Sequence, residues 1–235
     1  MSTKSLVVSR QELKYPINFA QYISLSQILK NVLVEDQHNG KEGYWVRSLY
    51  FDSYADADFY EKLNGIENRK KIRLRIYNYN DPKVKLEIKR KYGNNQEKKS
   101  IIITREDAKE LTCCNYEVLR KYSTKEAVMI YNIMKVNRVR PVVMIEYRRK
   151  AFIHPMNNIR MTLDSEIRSS ETYFDFFSPS PILAPVEDYY NALLEIKYNN
   201  FIFKWLSELI EPHTLTRESY SKYTASRGIF EKYLA

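Results

Sequence analysis

A chain of 235 residues with 44% hydrophobic content can bury a real core, and 38 Lys and Arg against 29 Asp and Glu leave a net charge of +9 that favours a polyanionic partner. No apolar run is long enough to span a bilayer, and residues 1–9 lack the apolar stretch of a signal peptide, so a soluble, cytoplasmic protein is expected. Cys113 and Cys114 are adjacent and His38, His154 and His213 are scattered, which disfavours a disulfide, a zinc site and a His-based nucleophile pair.

From the N-terminus, Arg10-Gln11-Glu12-Leu13-Lys14-Tyr15 alternates strictly and predicts a strand ended by Pro16, with Arg10, Glu12 and Lys14 on one face. Helical spacing follows over residues 18–34, closed near His38-Asn39-Gly40. Residues 45–51 read as an aromatic, β-branched strand and residues 54–63 as a short helix carrying Lys62. Lys71-Ile72-Arg73-Leu74-Arg75-Ile76-Tyr77 and Val84-Lys85-Leu86-Glu87-Ile88-Lys89 then alternate charge with aliphatic residues across a turn at residues 78–82.

Residues 97–103 predict another strand, with Lys99, Ile101 and Ile103 on one side, and Thr104 is placed to cap a helix running to Leu111. Residues 117–120 and 125–137 read as helices, 142–149 as a strand with charge on both faces, and 159–164 as a strand grouping Arg160, Thr162 and Asp164. A proline-rich loop covers residues 178–185. Residues 193–198 form a strand with Glu195 and Lys197 together, 201–210 an apolar helix and 219–234 a terminal helix carrying Lys222 and Arg227. No Gly/Ser/Pro-rich linker divides the chain, so a single domain over residues 1–235 is expected.

Two strands with cations at alternate positions could be the solvated face of an ordinary sheet or an anion cradle. At least five strands share the pattern. Their rows hold Arg10, Lys14, Lys71, Arg73, Arg75, Lys85, Lys89, Lys99, Arg149, Arg160, Lys197 and Lys222 against Glu12, Glu87, Asp164 and Glu195. That excess favours a closed antiparallel barrel with a polar interior and flanking helices, an α+β fold. It also favours phosphate chains, which match Arg forks and Lys point charges. Carboxylates mixed into the rows suit Mg²⁺ or Mn²⁺ beside phosphate oxygens. Nucleic acid is not expected, since no regular stacking platform or Gly-rich phosphate loop is present.

The ordered set Arg10-x-Glu12-x-Lys14-Tyr15, Tyr60-Glu61-Lys62-Leu63-Asn64-Gly65, Arg69 to Tyr77, Leu86-Glu87-Ile88-Lys89, Tyr147 to Phe152, Arg160-Met161-Thr162-Leu163-Asp164, Leu194-Glu195-Ile196-Lys197 and Tyr220-Ser221-Lys222-Tyr223 resembles the bacterial VTC domain. This is the catalytic domain of the vacuolar transporter chaperone polyphosphate polymerases, within the triphosphate tunnel metalloenzymes. The resemblance implies a closed eight-stranded tunnel, a divalent metal, and transfer of the terminal phosphate of ATP onto polyphosphate or pyrophosphate. It implies that Lys14, Lys62, Arg73, Arg75, Lys89, Lys99, Arg149, Arg160, Lys197 and Lys222 hold phosphates, with Lys98 as the substitute for Lys99, and that Glu195 holds the metal. Arg149 rather than Arg148 is chosen on this resemblance alone.

Arg10 and Lys71 complete the phosphate-binding set, and Glu87 and Glu12 complete the metal set. Lys71 and Lys85 are expected at the rim. Arg10 stands where the superfamily's hydrolases and cyclases carry an acid, which leans away from hydrolysis. Hydrolysis of tripolyphosphate or a nucleoside triphosphate, and non-catalytic polyphosphate binding, are the alternatives. The sensing and membrane domains of the eukaryotic polymerases have no counterpart here, so a membrane partner would be a separate protein. Asp164 is expected to pair with Arg160, Glu87 to balance Lys85 and Lys89 as readily as to hold metal, and Arg227 to be a solvated helix charge.

Overall fold

A computed structural model describes residues 10–93, 95–186, 192–213 and 215–228, with Arg10 described by its backbone alone. In chain order the elements are β1 (Arg10–Ile17), α1 (Phe19–Val32), β2 (Val34–Glu35), β3 (Tyr44–Asp52), α2 (Ala57–Leu63), β4 (Arg69–Ile76), β5 (Lys83–Tyr92) and β6 (Asn95–Thr104). There follow α3 (Arg105–Thr112), α4 (Lys125–Val136), β7 (Arg140–His154), β8 (Ile159–Ser170), β9 (Ala184–Pro185), β10 (Ala192–Asn199), α5 (Lys204–Glu208) and α6 (Lys222–Arg227). The terminal helix expected to reach Leu234 is observed as α6, and its remainder lies outside the described residues.

Hydrogen bonding orders the strands β1-β10-β8-β7-β3-β4-β5-β6, with β2 beside β7 and β9 beside β8. The α+β class is as expected; closure is not. The path ends at β1 and β6 with no pairing between them among the described residues, so the sheet is not closed into a barrel by hydrogen bonds. Strand alternation reports which face a residue takes and carries no information on whether two distant edges pair. Pro16 does not end β1 either: it pairs in register with Leu193, because an end strand leaves one side without ladder partners, where a missing N–H is tolerated.

The chain divides into two compact units, each drawn from three segments. The first comprises Met1–Tyr44, Tyr147–Ile167 and Glu187–Tyr220, and the second Trp45–Glu146, Arg168–Val186 and Ser221–Ala235. The first unit's core packs Ile17, Leu25, Leu29, Phe152, Met161, Leu163, Leu194 and Ile196. Its α1 begins in a reciprocal cap, Asn18 accepting from the Gln21 amide while the Gln21 side chain accepts from the Asn18 amide. The second unit's core packs Leu49, Phe51, Ile72, Leu74, Leu86, Ile88, Ile101 and Ile103 against α3 and α4, with Thr104 capping α3 as its sequence predicts.

These cores set the parity of every functional strand. Burying one Leu or Ile is worth about 1.5–3 kcal/mol, so a one-residue slip that exposed Ile72, Leu74, Leu86 and Ile88 while burying their charged neighbours is strongly disfavoured. The expected apolar helix over residues 201–210 shrinks to α5, with Phe203 extended at its start and the Phe201 and Phe203 rings packed on each other, Phe203 also against His154 and Trp205. No helix among the described residues is long and apolar enough to cross a membrane. Cys113 and Cys114 are free thiols.

Candidate functional site

In the second unit the register aligns Arg73 with Glu87, Arg75 with Lys85 and Lys71 with Lys89, and Lys89 in turn with Lys98. Tyr50 and Ser48 of β3 stand opposite Arg73 and Arg75 on the same face. A patch of Lys71, Arg73, Arg75, Lys85, Lys89 and Lys98 therefore surrounds one central carboxylate, Glu87. That carboxylate is 2% exposed, with Arg73 Nη2 at 2.7 Å, Lys98 Nζ at 2.6 Å and Arg75 Nη1 at 3.8 Å. Burial alone would raise its pKa; Arg73, then Arg75 and Lys98, overcome that and pull it down to about 2.

Glu87 thus orients the guanidinium forks, and its two oxygens are within ion-pair reach of three cations. Its observed contacts give it an anchoring role among Arg73, Arg75 and Lys98. The sign of its linkage is fixed by the depressed pKa. Stability from Glu87 is present in full above the ordinary value of 4.5 and is lost as pH falls through about 2. Glu87→Gln is expected to cost about 3 kcal/mol at pH 7, with the gap to the wild type closing between pH 5 and pH 2. Urea unfolding across that range checks this, and a gap independent of pH would contradict it.

The face also settles Lys98 against Lys99. Lys99 lies opposite Ile88 with the parity of Ile101 and Ile103 and pairs with Glu97, so the row's cation on β6 is Lys98. Lys85 is exposed with its ammonium 5.5 Å from the Tyr77 ring centroid. Lys62, in the last turn of α2, and Lys222, in the first of α6, both belong to this unit.

Tyr50 was not singled out from the sequence. Its hydroxyl accepts from Arg73 Nη1 at 2.7 Å, and although burial would raise its pKa, Arg73, Arg75 and Lys222 bring it below the ordinary tyrosine value. The signal that could have found it was present: Ser48, Tyr50 and Asp52 alternate with Leu49 and Phe51.

The first unit carries the other charges. Glu12 pairs in register with Lys197, Lys14 with Glu195, Glu195 with Thr162 and Lys197 with Arg160, so β1, β10 and β8 present one charged face. The Lys197 ammonium lies 3.0 Å from Glu195 and 3.5 Å from Glu12, and the Lys14 ammonium 3.9 Å and 3.7 Å from the same two carboxylates. Lys14 also donates to the Tyr220 carbonyl. Arg149 reaches Asp164 through two hydrogen bonds, at 2.6 and 2.7 Å, and Glu195 at 3.7 Å.

Asp164 therefore pairs with Arg149 and not, as expected, with Arg160, which binds Asp36 at 2.9 Å and Tyr44. Burial opposes the Arg149 charge, yet Asp164, then Tyr147 and Glu195, hold its pKa well above the ordinary value. Arg148 turns elsewhere, to Glu42 and Glu166. Gly43 helps set Arg149: at φ +91° a Cβ there would stand 2.4 Å from the Arg149 carbonyl oxygen, so only glycine lets this loop pass β7. Arg10 pairs by its backbone with Asn199.

The two units thus differ in charge. The second gathers six strand cations around one carboxylate, while in the first Lys14, Arg149, Arg160 and Lys197 are matched by Glu12, Asp36, Asp164 and Glu195. No group of three or more His, Cys, Asp or Glu side chains suited to a metal occurs among the described residues. Glu12 and Glu195 lie on one face and share the Lys14 and Lys197 ammonium groups; two carboxylates are the number a divalent ion takes when phosphate oxygens supply the rest of its shell. Arg227, expected to be solvated, is 11% exposed in its side chain and pairs with Asp56 and Glu171.

A family model described as VTC domain matches residues 9–230. No curated protein sequence matches the chain. Among solved structures, a candidate adenylate cyclase from Bacillus halodurans is 12% identical with a TM-score of 0.53, covering 91% of this chain and 95% of its own, which shows a shared fold. A second candidate adenylate cyclase, from Vibrio parahaemolyticus, is 14% identical with a TM-score of 0.49, covering 92% and 96%.

Proposed function

The chain belongs to the VTC domain family, and we propose that it is a metal-dependent polyphosphate polymerase that transfers the terminal phosphate of ATP to a growing polyphosphate chain. The observation that carries this reading is the second unit's patch, in which Lys71, Arg73, Arg75, Lys85, Lys89 and Lys98 share one face around Glu87. Like charges facing one another across paired strands repel unless a dense anion lies between them. A triphosphate or polyphosphate supplies that density, and Arg73 and Arg75, with Glu87 behind them, offer forks held ready for it.

In phosphoryl transfer the protein does little covalent chemistry: it aligns the donor and acceptor and neutralises the charge that develops. Arg73, Arg75, Lys89, Lys98, Lys62 and Lys222 take that role in the second unit, and Lys14, Arg149, Arg160 and Lys197 in the first. The acceptor, a phosphate chain end or pyrophosphate, is already ionised at neutral pH, so no side chain need remove a proton. Glu195 and Glu12 are the residues that would hold a divalent cation, which would supply further neutralisation of phosphate oxygens.

Incubation with ATP and Mn²⁺, followed by electrophoresis of the products, tests this reading. Long polymer supports it. Free phosphate without polymer identifies a hydrolase, and tight tripolyphosphate binding without turnover under Mn²⁺ or Mg²⁺ identifies a binding module. Within the patch, Lys98→Gln is expected to weaken tripolyphosphate binding about three- to tenfold by calorimetry. Lys99→Gln, on the other face of β6, is expected to stay within about twofold of the wild type.

A further inference from the structure

We propose that Asp52 and Tyr223 form a latch that sets the position of Lys222, making both of them positioning residues for phosphate binding; this rests on the reading of the second unit's cations given above. Asp52, the last residue of β3, is 0% exposed. Its Oδ1 accepts from the amides of Ser53 at 2.7 Å and Asp58 at 3.0 Å, and its Oδ2 from the amide of Phe59 at 3.0 Å and from the Tyr223 hydroxyl. Burying a carboxylate is costly, and these donors offset the desolvation.

One carboxylate thereby fastens two short helices. Asp56, which precedes α2, makes no side-chain cap, so the Asp58 and Phe59 amides in the first turn of α2 are satisfied by Asp52 instead. Lys62 rides in the last turn of that helix. On α6 the bond falls on Tyr223, the residue directly after Lys222.

The fixed Tyr223 ring then contacts the patch. It lies 5.2 Å from the Tyr50 ring, whose hydroxyl accepts from Arg73, and the Lys71 ammonium stands 4.7 Å from its centroid. Lys71 also donates to Ser221 Oγ at 2.9 Å, and Ser221 caps α6 through the Thr224 amide. Lys222 is close enough to Tyr50 to help lower the pKa of its phenol. Three successive residues, Ser221 to Tyr223, therefore meet the cation face, and the tyrosine among them is tied to a buried carboxylate 171 positions away. Burial, then the same carboxylate, push the Tyr223 phenol far above the ordinary value.

A double-substitution cycle on the full chain separates a latch from simple support of the fold. Tripolyphosphate binding is titrated by calorimetry for the wild type, Tyr223→Phe, Lys222→Gln and the double variant, and melting temperature is recorded for each. Tyr223→Phe keeps the ring and is the variant chosen to fold; Asp52→Asn serves as a second route to the same bond. Each single change is expected to weaken binding about five- to tenfold, and the double variant to be no more than about twofold weaker than Lys222→Gln. Losses that multiply, or wild-type affinity in Tyr223→Phe, overturn the latch. Absence of tripolyphosphate binding by the wild type overturns the phosphate reading itself and the latch with it.

Discussion

Glu195→Gln is expected to lower metal-dependent turnover by about 10²- to 10³-fold while leaving the protein folded. The glutamine matches the volume of glutamate and keeps an acceptor oxygen for Lys197, whose ammonium lies 3.0 Å from the native carboxylate. What disappears is one negative charge beside Lys14, Lys197 and Arg149. Two consequences follow, with opposite signs. The remaining cations attract phosphate at least as strongly, so metal-free tripolyphosphate binding is expected to be unchanged or tighter. On the proposed reading a carboxylate oxygen that would hold the divalent ion is gone, so the dependence of rate on Mn²⁺ concentration should flatten. Steady-state kinetics over a Mn²⁺ series, beside calorimetry without metal, measures both. Full activity in a folded Glu195→Gln protein would remove Glu195 from the metal assignment, and weaker metal-free binding would mean that its role is to hold the cations in place.

The strand rows were legible because their signal is local. Arg73 and Arg75 alternate with Ile72 and Leu74, whose burial fixes the face, and the same holds for Glu195 and Lys197 around Ile196. Lys98 could have been read the same way: Ile101 and Ile103 are core residues, and their parity takes Lys99 with them and leaves Lys98 beside Glu87. At Arg148-Arg149 no such reading existed, because both neighbouring faces carry charge and the choice is made by Asp164, 15 positions on. Closure of the sheet, the exchange of partners between Arg149 and Arg160, and the tie from Asp52 to Tyr223 all depend on pairings distant in sequence, to which strand periodicity is blind. The anchoring contacts of Glu87 were out of reach for a related reason. Its cross-strand neighbour Arg73 was visible in the alternation, but the register that also brings Arg75 and Lys98 onto one carboxylate was not.

Arg149→Leu is expected to be the most destabilising single change in the charged faces, at about 3–5 kcal/mol. Asp164 is 0% exposed and each of its oxygens accepts from the guanidinium, at 2.6 and 2.7 Å, so removing the arginine takes two charge-assisted bonds from a buried anion. For a chain of this length, about 2–4 °C of melting temperature accompanies each kcal/mol, so a fall of about 6–20 °C is expected by calorimetry or circular dichroism. If the loss comes from the buried charge rather than from packing, Arg149→Leu/Asp164→Leu should recover most of it, because two apolar side chains need no partner. Recovery of stability then isolates function. A stable double variant that still fails to bind tripolyphosphate shows that Arg149, besides anchoring Asp164, contributes its charge to the anion. A stable double variant that binds normally confines Arg149 to holding β7 against β8, and the phosphate contacts of the first unit then fall to Lys14, Arg160 and Lys197.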